Sequence, residues 1–161
     1  MTKDYDIISA NILGALGAEE LAINMCKRDC DECWAAGHRT PRQAITESLA
    51  ATPDAKVGLY KGRIVCMYGI AEISILSNIG IPWLLGTDEI EDHSKYFLRQ
   101  NRYYMNQIKK KYAFMFNFVD ARNTVAIRWL KWLGFSVYGA KPFGPDDMPF
   151  HRFEMGDMNN V

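Results

Sequence analysis

The sequence predicts a single α+β domain over residues 1–161, built on a mixed, mostly antiparallel sheet with one central parallel strand pair and flanking helices. Three observations carry this expectation. The elements run strand, helices, three antiparallel-type strands, helix, strand, helix, two strands. One crossover contains a helical stretch of roughly 20 residues, a connection length that joins parallel strands. Finally, residues 117–135 read as strand, polar turn, capped helix and glycine stop in one unbroken run.

Each element has its own signal. An apolar run over 6–13 suits a first strand, and 18–36 reads as a helix broken near Lys27-Arg28-Asp29 and ending at Gly37. Thr40 as cap and Pro41 as first helical residue start a helix that passes Leu49 and stops before Pro53. The stretches 56–60 and 63–68 form a hairpin turned at Lys61-Gly62. Residues 70–76 extend the second hairpin strand or follow it, and 82–86 make a short central strand. A long helix covers 92–111. Its apolar stripe of Phe97, Leu98, Tyr104, Met105, Ile108 and Tyr112 is about 120° wide, with Lys95, Arg99, Arg102, Lys109 and Lys110 opposite. A strand follows at 113–119. Asn123 then accepts from the free amides of a new helix, and Gly134 supplies its left-handed end. On that helix Val125, Ala126, Trp129, Leu130, Trp132 and Leu133 share one broad face, while Thr124, Arg128 and Lys131 share the other. A strand at 136–140, a Gly/Pro-containing loop at 141–149 and a strand at 150–155 complete the order.

Composition removes several classes of function. Nineteen basic residues balance nineteen acidic ones, so no protein-wide field draws the chain to nucleic acid or membrane. With 48% hydrophobic and 12% aromatic residues, long disorder is not expected. No apolar run approaches the roughly 20 residues of a membrane span. The opening Met1-Thr2-Lys3-Asp4-Tyr5-Asp6 is polar, and a cytoplasmic location is expected. Cys26, Cys30 and Cys33 lie at i, i+4 and i+7 on one helical face. A zinc site would need His38 as fourth ligand, whereas structural zinc favours tight Cys-x-x-Cys pairs. Buried thiols packing as small hydrophobes is the preferred reading, with no metal.

The spacing of Asn123, Ala126, Gly134 and Phe135 resembles the Asn-x-x-Ala-…-Gly-Phe signature of the GCN5-related N-acetyltransferase (GNAT) fold. That resemblance implies a coenzyme A pyrophosphate held by glycine-rich backbone amides between a strand and the long helix. The matching stretch here runs from Leu85 to Ser94. It keeps only Gly86 and introduces Asp88, Glu89, Glu91 and Asp92. Like charges there would oppose a diphosphate by roughly 1 kcal/mol each. Leu130 stands where the family often has a tyrosine acid. If acetyl-CoA binds, the resemblance places it between the strands ending near Gly86 and Val119, with Asn123 on the pantetheine side. Asp88 and Glu89 would then be the available bases. His93, beside Glu91 and Asp92, and His151, beside Arg152, are read as surface or capping residues.

Further blocks resemble a more specific group. These are Asp29-x-x-Glu32-x-x-Ala35-x-Gly37, Gly80-x-Pro82-Trp83-Leu84-Leu85-Gly86-Thr87-Asp88, Phe97-Leu98-Arg99, Asn117-x-Val119-x-x-Arg122-Asn123, Arg128-Trp129-Leu130-x-Trp132-Leu133-Gly134-Phe135 and Pro149-Phe150-x-Arg152-Phe153. Together they resemble the internal virion protein A family of short-tailed bacteriophages. The resemblance implies a virion or morphogenesis protein on a GNAT-like scaffold, without acetyltransferase activity or cofactor. A phage or host protein would be its partner, in the host cytoplasm or the virion. The alternative is an acyl-CoA-dependent N-acetyltransferase with an unconventional cofactor loop.

Overall fold

The computed structural model describes residues 4–74 and 76–160. In chain order the elements are β1 (Tyr5–Ser9), α1 (Ala10–Asn24), α2 (Lys27–Gly37), α3 (Pro41–Ala50), β2 (Lys56–Tyr60), β3 (Arg63–Glu72) and β4 (Ile79–Gly86). A 3-10 turn at Asp88–Ile90 leads to α4 (Ser94–Ile108), β5 (Phe114–Asp120), α5 (Thr124–Leu133), β6 (Ser136–Phe143) and β7 (Met148–Gly156). The strands form one sheet in the order β1-β2-β3-β4-β5-β7-β6. Every neighbouring pair is antiparallel except β4 and β5, which are parallel. The expected mixed sheet with a central parallel pair is present.

Helices cover both faces. Leu21, Ile45, Val57, Met67 and Leu85 build the core under α1, α2 and α3. Tyr68, Ile70, Phe97, Met115, Val119 and Phe153 build the core under α4 and α5. Along β3, Ile64 and Met67 face one core while Val65, Cys66, Tyr68 and Ile70 face the other, and the stretch from Ile64 to Ile70 is buried throughout, as a central strand covered on two sides requires. No helix of the described residues is long and apolar enough to cross a membrane.

Several boundaries differ from the sequence reading, each for a local reason. The first strand ends at Ser9 instead of 13, because the Ser9 hydroxyl accepts the Asn11 amide and starts α1 at Ala10. A short apolar run fits strand or helix equally well, and here the cap decides. Gly14, at φ 56, kinks α1. The break between the first two helices falls at Met25-Cys26, before the predicted Lys27. There Met25 bridges to Thr87 and the Cys26 amide donates to the Gly86 carbonyl at 2.9 Å. The central strand begins at Ile79, and the long helix begins at Ser94 after a turn, not at 92. The predicted loop 141–149 holds the ends of a hairpin whose turn uses Gly144 at φ 78. A Cβ at Gly144 would sit 2.1 Å from the Ala35 carbonyl oxygen, so α2 and this hairpin touch backbone to backbone. Ile75, within the predicted extension 70–76, and Met1, Thr2 and Lys3 lie outside the described residues.

The apolar face of α5 is less covered than its pattern suggests. None of its residues is fully buried, and Trp132 is 43% exposed with the Arg102 guanidinium over its ring. Trp129, Leu130 and Leu133 pack on the main core only in part, because they also wall a cavity between α4 and α5.

Candidate active site at the splayed strands

The parallel pairing of β4 and β5 consists of two register positions, Ile79↔Phe114 and Gly80↔Met115. Beyond them the strands diverge. Pro82 has no amide to offer a neighbour, and its carbonyl accepts instead from the Asn117 side-chain amide at 2.9 Å. The divergence opens a cavity of about 310 Å³ that reaches both faces of the sheet. Its α4–α5 side is apolar, with Leu98, Met105, Trp129, Leu130 and Leu133. Its α2 side is polar, with Arg28, Asp29 and Glu32.

The polar side is built by α2. Asp29 and Glu32, three positions apart, lie on one helical face. Asp29 accepts from the Gly86 amide at 2.9 Å and from the Asn123 side-chain amide at 3.4 Å. Glu32 accepts from the Asp120 amide at 2.7 Å. One helix thereby satisfies the last amides of both diverging strands. Burial holds the Asp29 carboxyl above its ordinary range, against the pull of the Gly86 amide. Burial, reinforced by the Asp29 charge, pushes Glu32 from 4.5 to about 8. At neutral pH the pair therefore holds a proton that isolated carboxyls would release. Cys33, also on the wall, is pushed to about 12 by burial, so its thiol is not a nucleophile near neutrality. Asp120 behaves in the opposite way. Burial works to raise it, but the hydrogen bonds and charge of Arg122 outweigh that and its pKa is lowered. The Arg122 Nη2 contact is 2.7 Å.

The structure brings three of the five sequence-derived site residues to this place. Val119 and Asn123 line the cavity, and Gly86 ends β4 at its lip. Two of them are already engaged. The Gly86 amide goes to Asp29, while Asn123 caps α5 through the Ala126 amide at 3.2 Å. Asp88 and Glu89 do not line the cavity. Asp88 is exposed, and Glu89 pairs with Arg63 at 2.7 Å. Of the residues set aside, His93 accepts or donates to the Tyr5 hydroxyl at 2.7 Å and packs on Tyr60. His151 bonds the Tyr138 carbonyl at 2.7 Å, and His38 meets Asp146 at 2.8 Å. All four cysteines are free thiols.

The loop after β4 differs from the sequence picture in charge. Glu89 is countered by Arg63, and Glu91 by Arg28 at 2.8 Å, so two of the four carboxylates carry a cation. Its amides are mostly turned inward. Those of Ile90, Asp92, His93 and Ser94 all bond carbonyls of the same turn. Arg28 keeps a buried Nε without a partner among the described residues, at the cavity wall. The apolar side offers room for an apolar arm, and Arg28 offers an unused donor beside it. The first amides of α4, at Lys95 and Tyr96, have no backbone acceptor among the described residues, whereas those of 90–94 are used within the turn.

Asp29 and Glu32 were the residues that site reasoning from sequence passed over. Their i, i+3 spacing inside an otherwise polar helix was visible, but nothing local showed that α2 docks on two strand ends.

Neither a family model nor a curated protein matches the sequence. Solved structures do match in fold. A GCN5-related N-acetyltransferase from Kribbella flavida superposes with a TM-score of 0.68 at 14% identity, covering 98% of this chain and all 100% of its own. The ribosomal-protein-S5-alanine acetyltransferase from Vibrio fischeri gives 0.65 at 14% identity, over 99% and 96% of the two chains. A ribosomal L7/L12 alpha-N-protein acetyltransferase, solved in complex with coenzyme A, gives 0.64 at 8% identity over 96% and 94%. At such identities the likeness is one of architecture, and the architecture is the GNAT fold.

Proposed function

We propose that the protein is an acyl-CoA-dependent N-acyltransferase with an unconventional cofactor loop, in which Glu32 receives the proton of the acceptor amine. The observation that carries this reading is the cavity at the β4–β5 splay, apolar on one side and closed on the other by a carboxyl with a pKa near 8. A base is most useful when its pKa lies close to the working pH. An acyl-CoA would supply the activated acyl group. Leu98, Met105 and Trp129 would keep water from it, and Arg28 would donate to it. Val119 and Asn123 support the strand end beside it. Asp88 and Glu89 support the reading less, because neither lines the cavity and Glu89 is paired with Arg63. With leucine at 130, the proton for the departing thiol comes from the Glu32 carboxyl that has just gained one, or from solvent.

A second reading keeps the groove for a protein. The resemblance of six sequence blocks to the phage virion family favours it, as do the amides of 90–94, which bond carbonyls within the turn. The protein would then act in the virion or in host cytoplasm, with a phage or host partner and no cofactor. Calorimetric titration with acetyl-CoA at low salt separates the two. Dissociation in the micromolar range supports the acyltransferase, and absence of binding at millimolar ligand leaves the virion reading.

A further inference from the structure

The helices α4 and α5 carry charge of one sign. From Ser94 to Val119 there are six cations, Lys95, Arg99, Arg102, Lys109, Lys110 and Lys111, and no carboxylate; α5 adds Arg128 and Lys131, again without a carboxylate. The whole chain balances 19 against 19, so the charge is segregated onto this face and is invisible in the total. All eight are exposed. Among the described residues only Lys111 pairs with a carboxylate, Glu72. Lys109, Lys110 and Lys111 suit the end of a helix, where its dipole favours cations. Lys95 and Arg99 stand in the first two turns, where the dipole does not.

Exposed aromatic rings flank these cations. At 100° per residue Lys95, Arg99, Arg102 and Lys109 lie within about 80° of arc on α4, with Tyr103 on one edge. Tyr103 is 62% exposed. On the other edge the Arg102 guanidinium lies 3.6 Å from the ring centroid of Trp132, which is followed one turn back by Arg128. From Lys95 to Lys109 the stripe is roughly 21 Å long. Unpaired cations interleaved with accessible rings are what a single strand uses, phosphates on the charges and bases on the rings. A duplex hides its base faces, and an acidic peptide has few rings to stack.

We propose that the α4–α5 face binds single-stranded nucleic acid, with backbone phosphates on Arg99, Lys109, Lys110, Arg128 and Lys131 and bases against Tyr103 and Trp132. The surface lies outside the splay cavity, and the proposal stands whether or not the chain transfers acyl groups.

The test is fluorescence anisotropy of a labelled oligothymidylate with the full chain. Five phosphate contacts should weaken binding about 130-fold between 50 and 200 mM salt. The triple variant Arg99→Glu, Lys109→Glu, Lys110→Glu should bind at least about tenfold more weakly at 50 mM and lose about 2 from the logarithmic salt slope. Tyr103→Ala should weaken binding by about fivefold or more with the slope unchanged. Circular dichroism and urea midpoints confirm that the variants fold. The proposal is overturned by absence of binding at 50 mM salt, or by equal binding of the folded triple variant. It also fails if a duplex of the same length binds as tightly, or if polyglutamate displaces the oligonucleotide as well as unlabelled oligothymidylate does.

Discussion

Asp29 and Gly86, 57 residues apart in the chain, meet through a 2.9 Å hydrogen bond in which the carboxylate accepts the amide at the last residue of β4. Glu32, on the same helical face, does the same for the last residue of β5. Parallel strands that separate leave amides with no ladder partner, and an unsatisfied buried amide costs about 1–3 kcal/mol. α2 removes that cost at both lips of the splay, and in doing so draws two carboxyls into a confined space.

Removing the clasp should therefore be felt. Asp29→Ala leaves the Gly86 amide and the Asn123 side chain without their acceptor and should destabilise by about 2–3 kcal/mol in urea denaturation. Asp29→Asn keeps an acceptor oxygen and removes the buried charge, and should cost less than about 1 kcal/mol. Equal losses in the two variants would show that the charge, not the hydrogen bond, matters.

Glu32 gives a pH dependence of definite sign. Its folded pKa is raised from 4.5 to about 8, so the stability it contributes is fully present below about 4.5 and is lost as pH rises toward 8. Wild type should lose on the order of a few kcal/mol across that window, and Glu32→Gln should flatten the decline. In acyl transfer the rate should climb with pH until about 8. In Glu32→Gln that limb should vanish, with kcat down about 100-fold or more. A pH profile unchanged by the substitution would remove Glu32 from the chemistry.

The Asp120–Arg122 pair runs the other way. The pKa of buried Asp120 is lowered, so its contribution is present above the ordinary carboxylate range and is lost as pH falls through it. Arg122→Ala should cost about 1–2 kcal/mol at neutral pH, a modest value because the guanidinium is half exposed. The variant should show little of the wild-type loss in acid, and acid titration of the two by circular dichroism checks this.

Trp129→Ala should destabilise by about 2–3 kcal/mol, below the range for a fully enclosed tryptophan, because the ring already faces a cavity. Gly144→Ala should cost about 2 kcal/mol or more, since its φ of 78 and the adjacent Ala35 carbonyl both exclude a methyl group. A neutral Gly144→Ala would mean that the hairpin and α2 do not touch in solution.

The fold was legible wherever a local rule fixes a boundary. Thr40 and Gln43 form a reciprocal cap, Asn123 and Gly134 close both ends of α5, and the hairpin of β2 and β3 turns where Lys61-Gly62 said it would. The start of α1 was not legible, because an eight-residue run over 6–13 has no period to read and a single serine cap settled it. Trp132 was placed with the buried face by periodicity alone. The residue is 43% exposed, with the Arg102 guanidinium of a different helix against one face of its ring. The site was half legible for the same reason. Gly86, Val119 and Asn123 follow from a pattern along the chain. Asp29 and Glu32 become site residues only through contacts 57 and 88 residues away, and no window of sequence contains those.

The two-pair seam between β4 and β5 has a consequence for how the molecule opens. β1 to β4 come from one stretch of chain, and β5, β7 and β6 from another, so each half of the sheet is contiguous and nearly complete in itself. The halves share one core, in which Tyr68 and Ile70 of the first pack with Met115, Val119 and Phe153 of the second, so parting the seam also exposes that core. The latch between them is α2, which belongs to the first half and grips the second through the Asp120 amide. Deuterium uptake along β5 and β7, corrected for intrinsic exchange, should therefore rise as Glu32 gives up its proton, and Glu32→Gln should abolish that rise.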